Sequence, residues 1–249
     1  MVASGMTNDV QTRDRISLES SWSRFQSERE LLLSVVGYAY GPEPDLRIDD
    51  IRRDRRIHAD RIMGFLDVGP EDVVVDFGSG VGFIAEWIAP RARRILCLDI
   101  GEHHLEYTRR HLANHPNVEF HLISYADLSC LQGKGVTKFF ASAVFIHFNL
   151  WDIAVHLRRI CDVLDDGGRA YANIMNSDGL DLMAQPLFRT QLERYERFRS
   201  PTYLVTWNSA AAVTSVAESI GFSVEPVWSA PEGNTGLLFR RGRSGPAQG

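Results

Sequence analysis

Cysteine is scarce in this chain: Cys97, Cys130 and Cys161 are the three in 249 residues, scattered, odd in number and without a C-x-x-C pair. That pattern suggests neither a disulfide framework nor a zinc site, so no metal is expected and a reducing cytoplasm fits. Long apolar runs are missing too. No stretch approaches membrane-spanning length, and Met1-Val2-Ala3-Ser4-Gly5 lacks the apolar core of a signal peptide. No membrane association is expected. Nor is there an excess of basic charge: the formal net charge is -5, which argues against a general affinity for phosphate backbones, so nucleic acid is not an expected partner.

What is present is an ordinary balance of apolar and charged residues, in a chain long enough for one sizeable α/β domain. Residues 1–15 and 242–249 read as disordered ends. Over 16–68, Trp22, Phe25, Leu32 and Val36 recur at helical spacing and a second helical stretch runs from about 50 to 66, which together predict a helical cap. Residues 69–241 alternate strand and helix signals, as a mostly parallel sheet covered by helices requires. Strands are expected at 73–77, 95–98, 118–122, 139–145, 170–174, 222–228 and 237–239. Pro226 inside one of them predicts a sheet edge. Residues 176–205 stand outside this alternation as a helical insertion, with a helix beginning near Pro186.

The most informative stretch is Asp76-Phe77-Gly78-Ser79-Gly80-Val81-Gly82, directly after the apolar Val73-Val74-Val75. It reads as buried strand, tight turn and helix. Glycine takes positive φ and lets a ligand touch the backbone, while the start of the following helix offers unpaired N–H groups; Pro90 is expected to end that helix. A dinucleotide fingerprint requires G-x-G-x-x-G, yet Phe83 stands where its third glycine belongs. The pattern instead resembles the D-x-G-x-G-x-G motif of class I S-adenosylmethionine-dependent methyltransferases. That resemblance implies a Rossmann-like α/β fold, a seven-stranded mostly parallel sheet with an antiparallel strand near one edge, and S-adenosylmethionine as cofactor.

Further residues carry the likeness. Arg94-Ile95-Leu96-Cys97-Leu98-Asp99-Ile100 gives a second buried strand ending in an acid. Asp99 suits the two hydroxyls of a ribose, and equally suits capping of the next helix. The resemblance places Ile100 against adenine and Asp76 near the methionine end of the cofactor. After the third strand the family commonly carries an acidic and a small residue framing the adenine, whereas this chain has Ser124 and Tyr125. Ser124 then bonds the adenine edge, Tyr125 covers it, and Asp127 is a turn residue. The fourth strand, containing Ser142 and ending at His147, resembles the one whose end faces the transferred methyl, so Ser142 is counted with the cofactor residues. Val163-Leu164-Asp165-Asp166-Gly167-Gly168-Arg169 resembles the family's turn before the fifth strand.

For an acceptor hydroxyl a general base is useful, and His147 is the first candidate, against the alternative of a histidine packed at a strand end. His103 and His104 are expected to face solvent. Tyr38 and Tyr40, flanked by Gly37 and Gly41, suit a lid over the substrate as well as packing at a helix end. The near-balanced run Asp49-Asp50-Ile51-Arg52-Arg53-Asp54-Arg55-Arg56 reads as a salt-bridged, solvated helix. The expected reaction is methyl transfer to an oxygen or nitrogen of a small molecule, a specialised metabolite or a sugar. Other readings are a macromolecular methyltransferase, a nicotinamide-dependent oxidoreductase and a non-catalytic S-adenosylmethionine-binding protein. Oligomeric state is not encoded in any of these motifs.

Overall fold

The structure is a computed structural model that describes residues 28, 30–32, 48–198 and 205–242. In chain order the elements are α1 (Ile48–Leu66), β1 (Val73–Phe77), α2 (Ala85–Ile88), β2 (Arg94–Asp99), α3 (Glu102–His111), β3 (Val118–Leu122), β4 (Val136–Ala141), α4 (Leu150–Val163), β5 (Leu164–Asn176), α5 (Pro186–Phe198), β6 (Trp207–Asn208), α6 (Ala210–Ile220), β7 (Phe222–Ser229) and β8 (Asn234–Arg241). The strands join in the order β3-β2-β1-β4-β5-β8-β7, and β6 pairs with the end of β5. Pairs from β3 through β5 are parallel, while β8 runs antiparallel to both β5 and β7. The expected seven strands and the reversed strand are therefore present, and β6 is an eighth.

The central strands lie between two helical layers, so both of their faces are apolar. Val73, Val75 and Phe77 of β1 point with Phe139 and Ala170 toward Ile153, Leu157 and Ile160 of α4 and Val213 and Ala217 of α6. Val74, Phe140 and Tyr171 point the other way, toward Ala59, Ile62 and Leu66 of α1 and Ala85 and Ile88 of α2. Each fully buried Leu, Ile or Phe here contributes about 1.5–3 kcal/mol of transfer free energy. Pro226 lies on the outermost strand β7 beside a register shift, where a missing N–H costs the sheet little.

Three expectations change. The helix after the glycine loop is one turn long and stops at Ile88; Pro90 sits inside a following 3-10 turn, Ala89–Arg91, instead of ending the helix. The fourth strand ends at Ala141, and residues 145–147 form a separate 3-10 turn. The stretch Asp165-Asp166-Gly167-Gly168 is a bulge within β5 and not a turn before it: Leu164 pairs with Val136 and Arg169 with Lys138, so four residues face one. The charged run at 49–56 lies on α1, where Arg53 meets Asp50 at 2.9 Å and Arg52 pairs with Glu86 of α2.

Candidate cofactor and acceptor site

At the carboxyl ends of β1 and β2 the backbone folds into a shallow cradle. Gly78, Gly80 and Gly82 all have positive φ, at 72°, 55° and 78°. The loop is pinned to the neighbouring strand, since the N–H groups of Gly78 and Ser79 donate to Leu98 O at 2.8 and 3.0 Å. A side chain at Gly78 would overlap Val144, and one at Gly82 would come within 2.6 Å of Thr108 Cγ2. Thr108 of α3 also donates its hydroxyl to Gly80 O at 2.8 Å. The glycine pattern is thus required by backbone conformation and by close neighbours at once.

Asp99 closes one side of this cradle. Its Oδ2 accepts from Gly80 N and its Oδ1 from Gly101 N, each at 2.8 Å. The two readings of Asp99 meet here: it steadies the start of α3, whose N-cap is Gly101, and it also grips the glycine loop. A carboxylate has about four acceptor sites, so acceptor capacity remains for a ligand hydroxyl. Burial raises the Asp99 pKa, opposed by His104 and by the backbone donors of Gly101, Gly80 and Ile100. Asp76 is buried as well, and desolvation, reinforced by the Asp99 charge, pushes it well above the usual carboxylate range. The Ser79 hydroxyl is buried without a hydrogen-bond partner. An orphan hydroxyl and two buried carboxyls beside a glycine-lined backbone fit a polar, partly cationic ligand with free hydroxyls.

His104 corrects an expectation. It is buried, with Nδ1 3.8 Å from Asp99 Oδ1, while His103 is exposed beside Glu106. The first turn of α3 therefore turns a histidine inward under the acid. Burial lowers the His104 pKa, with Asp99 opposing.

Beyond β3, Ile123 N donates to Asp99 O at 3.0 Å, so the loop carrying Ser124 and Tyr125 lies against the same cradle. Ser124 is exposed. Tyr125 has φ 47° and its hydroxyl donates to Asp152 Oδ1 at 2.6 Å, tying the loop to α4. Asp127 accepts from Ser129 N at 3.0 Å and is a turn residue, as expected. Sequence reading missed His156 of α4, buried among Phe77, Tyr125, Phe145 and Phe148, with Nδ1 2.7 Å from Asp152 O. Its helical spacing from Asp152 was the available signal.

The turn after β4 forms the other half. Ser142 is half-buried, and Ala143 takes φ 58°, a left-handed conformation that costs a residue with a side chain about 1–2 kcal/mol. His147 lies on the 3-10 turn Phe145–His147, and so is not a strand-end residue. That turn is bonded to the chain after the insertion: Thr206 N donates to Ile146 O at 2.6 Å, Thr206 Oγ1 to His147 O at 3.4 Å and Asn208 Nδ2 to Phe148 O at 2.8 Å. The insertion itself exposes Met183, Leu187, Leu192 and Tyr195. Tyr38 and Tyr40 lie outside the described residues. Leu31 and Leu32 from the same N-terminal stretch pack with Ile51 on Val81 and Phe83, so Phe83 fills an apolar contact where a dinucleotide site needs glycine. Among the described residues no cluster of His, Cys, Asp and Glu is placed to hold a metal, and no helix is long and apolar enough to cross a membrane.

Comparison with known proteins bears on this geometry. Residues 74–168, from β1 into the bulge of β5, match the methyltransferase domain family. Among solved structures, magnesium protoporphyrin IX methyltransferase from Synechocystis PCC 6803 with bound S-adenosylhomocysteine superposes with a TM-score of 0.61 at 17% identity, over 93% of this chain and 98% of that one. The same enzyme with bound S-adenosylmethionine gives 0.59 at 15% identity, over 96% and 100%. These are likenesses of fold. A ribosomal RNA small subunit methyltransferase A from Thermotoga petrophila is 39% identical over 61 residues, 24% of this chain and 24% of that protein. The chain thus spans about a quarter of the length of the curated relatives it matches. The family match, which takes in the glycine loop, together with the sheet in this order identifies residues 74–168 as a methyltransferase domain on the class I fold.

Proposed function

We propose that the protein transfers a methyl group from S-adenosylmethionine to an oxygen or nitrogen of a small molecule, of the kind of a specialised metabolite or a sugar. The observation that carries the reading is the cradle of three positive-φ glycines with Asp99 on its rim. Asp99 would accept the ribose hydroxyls, Asp76 would face the methionine end, and Ser79, Ile100, Ser124 and Ser142 would complete the enclosure. Tyr125 acts through its loop, because its hydroxyl is already given to Asp152. Bound there, the cofactor supplies an electrophilic methyl on a sulfonium.

The protein's share of the chemistry is mostly alignment. Holding methyl and acceptor in line is worth about 7–11 kcal/mol, whereas a placed base adds roughly 10² to 10⁴ in rate. His147 is the proposed base for a hydroxyl acceptor, on a turn fixed by Thr206 and Asn208. The N-terminal cap with Tyr38 and Tyr40, and the insertion 176–205, are the proposed acceptor-binding and water-excluding parts. The exposed apolar side chains of the insertion support that role.

A second reading, RNA as acceptor, is favoured by the partial likeness to a ribosomal RNA methyltransferase; the net charge of -5 speaks against it. Calorimetry with S-adenosylhomocysteine and with NAD tests the cofactor: binding of the first and not the second is expected, and the reverse overturns the proposal. Incubating a cell extract with isotope-labelled cofactor then tests the acceptor. One labelled small molecule is expected, and label confined to RNA would favour the second reading.

A further inference from the structure

The turn after β4 is bent against its own preference, and one buried side chain on the next strand holds it. Ala143 sits at φ 58°, and its N–H donates to Asn173 Oδ1 at 2.7 Å. The other end of the same amide, Asn173 Nδ2, donates to Asn234 Oδ1 of β8 at 2.9 Å. Asn173 is 6% exposed and lies in the middle of β5, in the apolar stretch Ala170-Tyr171-Ala172-Asn173-Ile174. Its backbone is in register with Gly236 of β8, so the sheet does not need its side chain. Burying an amide costs free energy unless both ends are bonded, and both are here.

What the bend accomplishes is visible one residue on. Val144 lies so close over Gly78 that any side chain at Gly78 would overlap it. The acceptor-side turn and the first glycine of the cradle are therefore in direct contact.

We propose that Asn173 is a positioning residue for cofactor binding: it clamps Ala143 in the left-handed conformation, which seats Val144 on Gly78 and fixes the boundary between the cofactor cradle and the acceptor side. The proposal rests on the methyltransferase reading of the site. Without the clamp, Ala143 returns to negative φ, its N–H seeks water, and Val144 lifts from the loop.

The test is calorimetric titration of S-adenosylhomocysteine, with melting temperature measured in parallel. Asn173→Ala is expected to weaken binding about tenfold. Asn173→Asp should stay within about threefold of wild type, because its carboxylate still accepts from Ala143 N–H and the Asn234 amide can rotate to donate. Adding Ala143→Gly to Asn173→Ala should recover most of the loss, since glycine holds this φ unaided. Should Asn173→Ala not fold, Ala143→Val in the otherwise native chain carries the test: the site is exposed, and a β-branched residue resists positive φ, so a loss of about tenfold is expected. The proposal is overturned if Asn173→Ala or Ala143→Val binds within twofold of wild type, or if glycine at 143 recovers nothing. Absence of binding by the wild-type chain would instead overturn the proposed function, and this proposal with it.

Discussion

The two halves of the site are built differently. On the side of β1 and β2 the groups that shape the cradle are backbone atoms and glycines from one short stretch, pinned by Leu98 O and Asp99. On the side of β4 to β6 the turn bearing His147 is held by side chains and backbone from far along the chain: Asn173, Thr206 and Asn208. The first half is a rigid holder whose form follows from steric rules. The second is an assembly whose members can change with the substrate. In the proposed function the rigid half takes the cofactor and the variable half the acceptor, an arrangement that lets one fold serve many acceptors.

Substitutions on either side sharpen or break that division. The largest expected effect is on turnover: His147→Ala should lower formation of labelled product by roughly 10² to 10⁴ while S-adenosylhomocysteine affinity stays within about twofold. A matching fall in affinity would mean the halves are not separable. Next comes Gly78→Val. Overlap with Val144 and a β-branched residue at φ 72° together cost about 3 kcal/mol, so binding should weaken about 100-fold by calorimetry. Wild-type affinity in this variant would show that the cradle yields easily.

Asp99→Asn is expected to weaken binding about 10- to 100-fold, since the amide loses half its acceptor capacity and must turn an N–H toward Gly80 or Gly101. Unchanged affinity would return Asp99 to its capping role alone. The smallest effect is on stability. Burial, reinforced by Asp99, raises the Asp76 pKa in the fold, so its protonation favours the folded state. Its contribution is fully present below the unfolded value of about 3.9 and is lost as pH rises through the folded one. Asp76→Asn should therefore raise the melting temperature of the ligand-free protein at pH 7 and 8, with the gain vanishing toward pH 4. A gain independent of pH would rule out charge burial as its cause.

The same division decides what could be read in advance. Strand β1 and the glycine loop follow from a β-branched run and from glycine's unique φ range, and β3 from the alternation of Val118, Phe120 and Leu122, all local in sequence. The inward turn of His104 was missed, because His103 and His104 are adjacent and the helical phase of α3, which no local signal fixes, decides which of them faces the acid. The strand leading to His147 was expected to run to 145 but ends at Ala141, six residues before His147: Phe145 is apolar and buried as a strand residue would be, but it belongs to a 3-10 turn. Asn173 left one trace, a lone amide in an apolar strand. Its partners, Ala143 and Asn234, are 30 and 61 residues away, and no local pattern links them.

The pairing of Asn173 with Asn234 also orders events during synthesis. Every glycine of the cradle precedes Leu112 and the clamp on Ala143 needs only β5, but the far end of the Asn173 amide stays unpaired until β8 brings Asn234. A chain lacking β8 would lose that brace together with Leu237, Leu238 and Phe239 of the two main core clusters. Strand β8 thus completes both the core and the brace behind the turn.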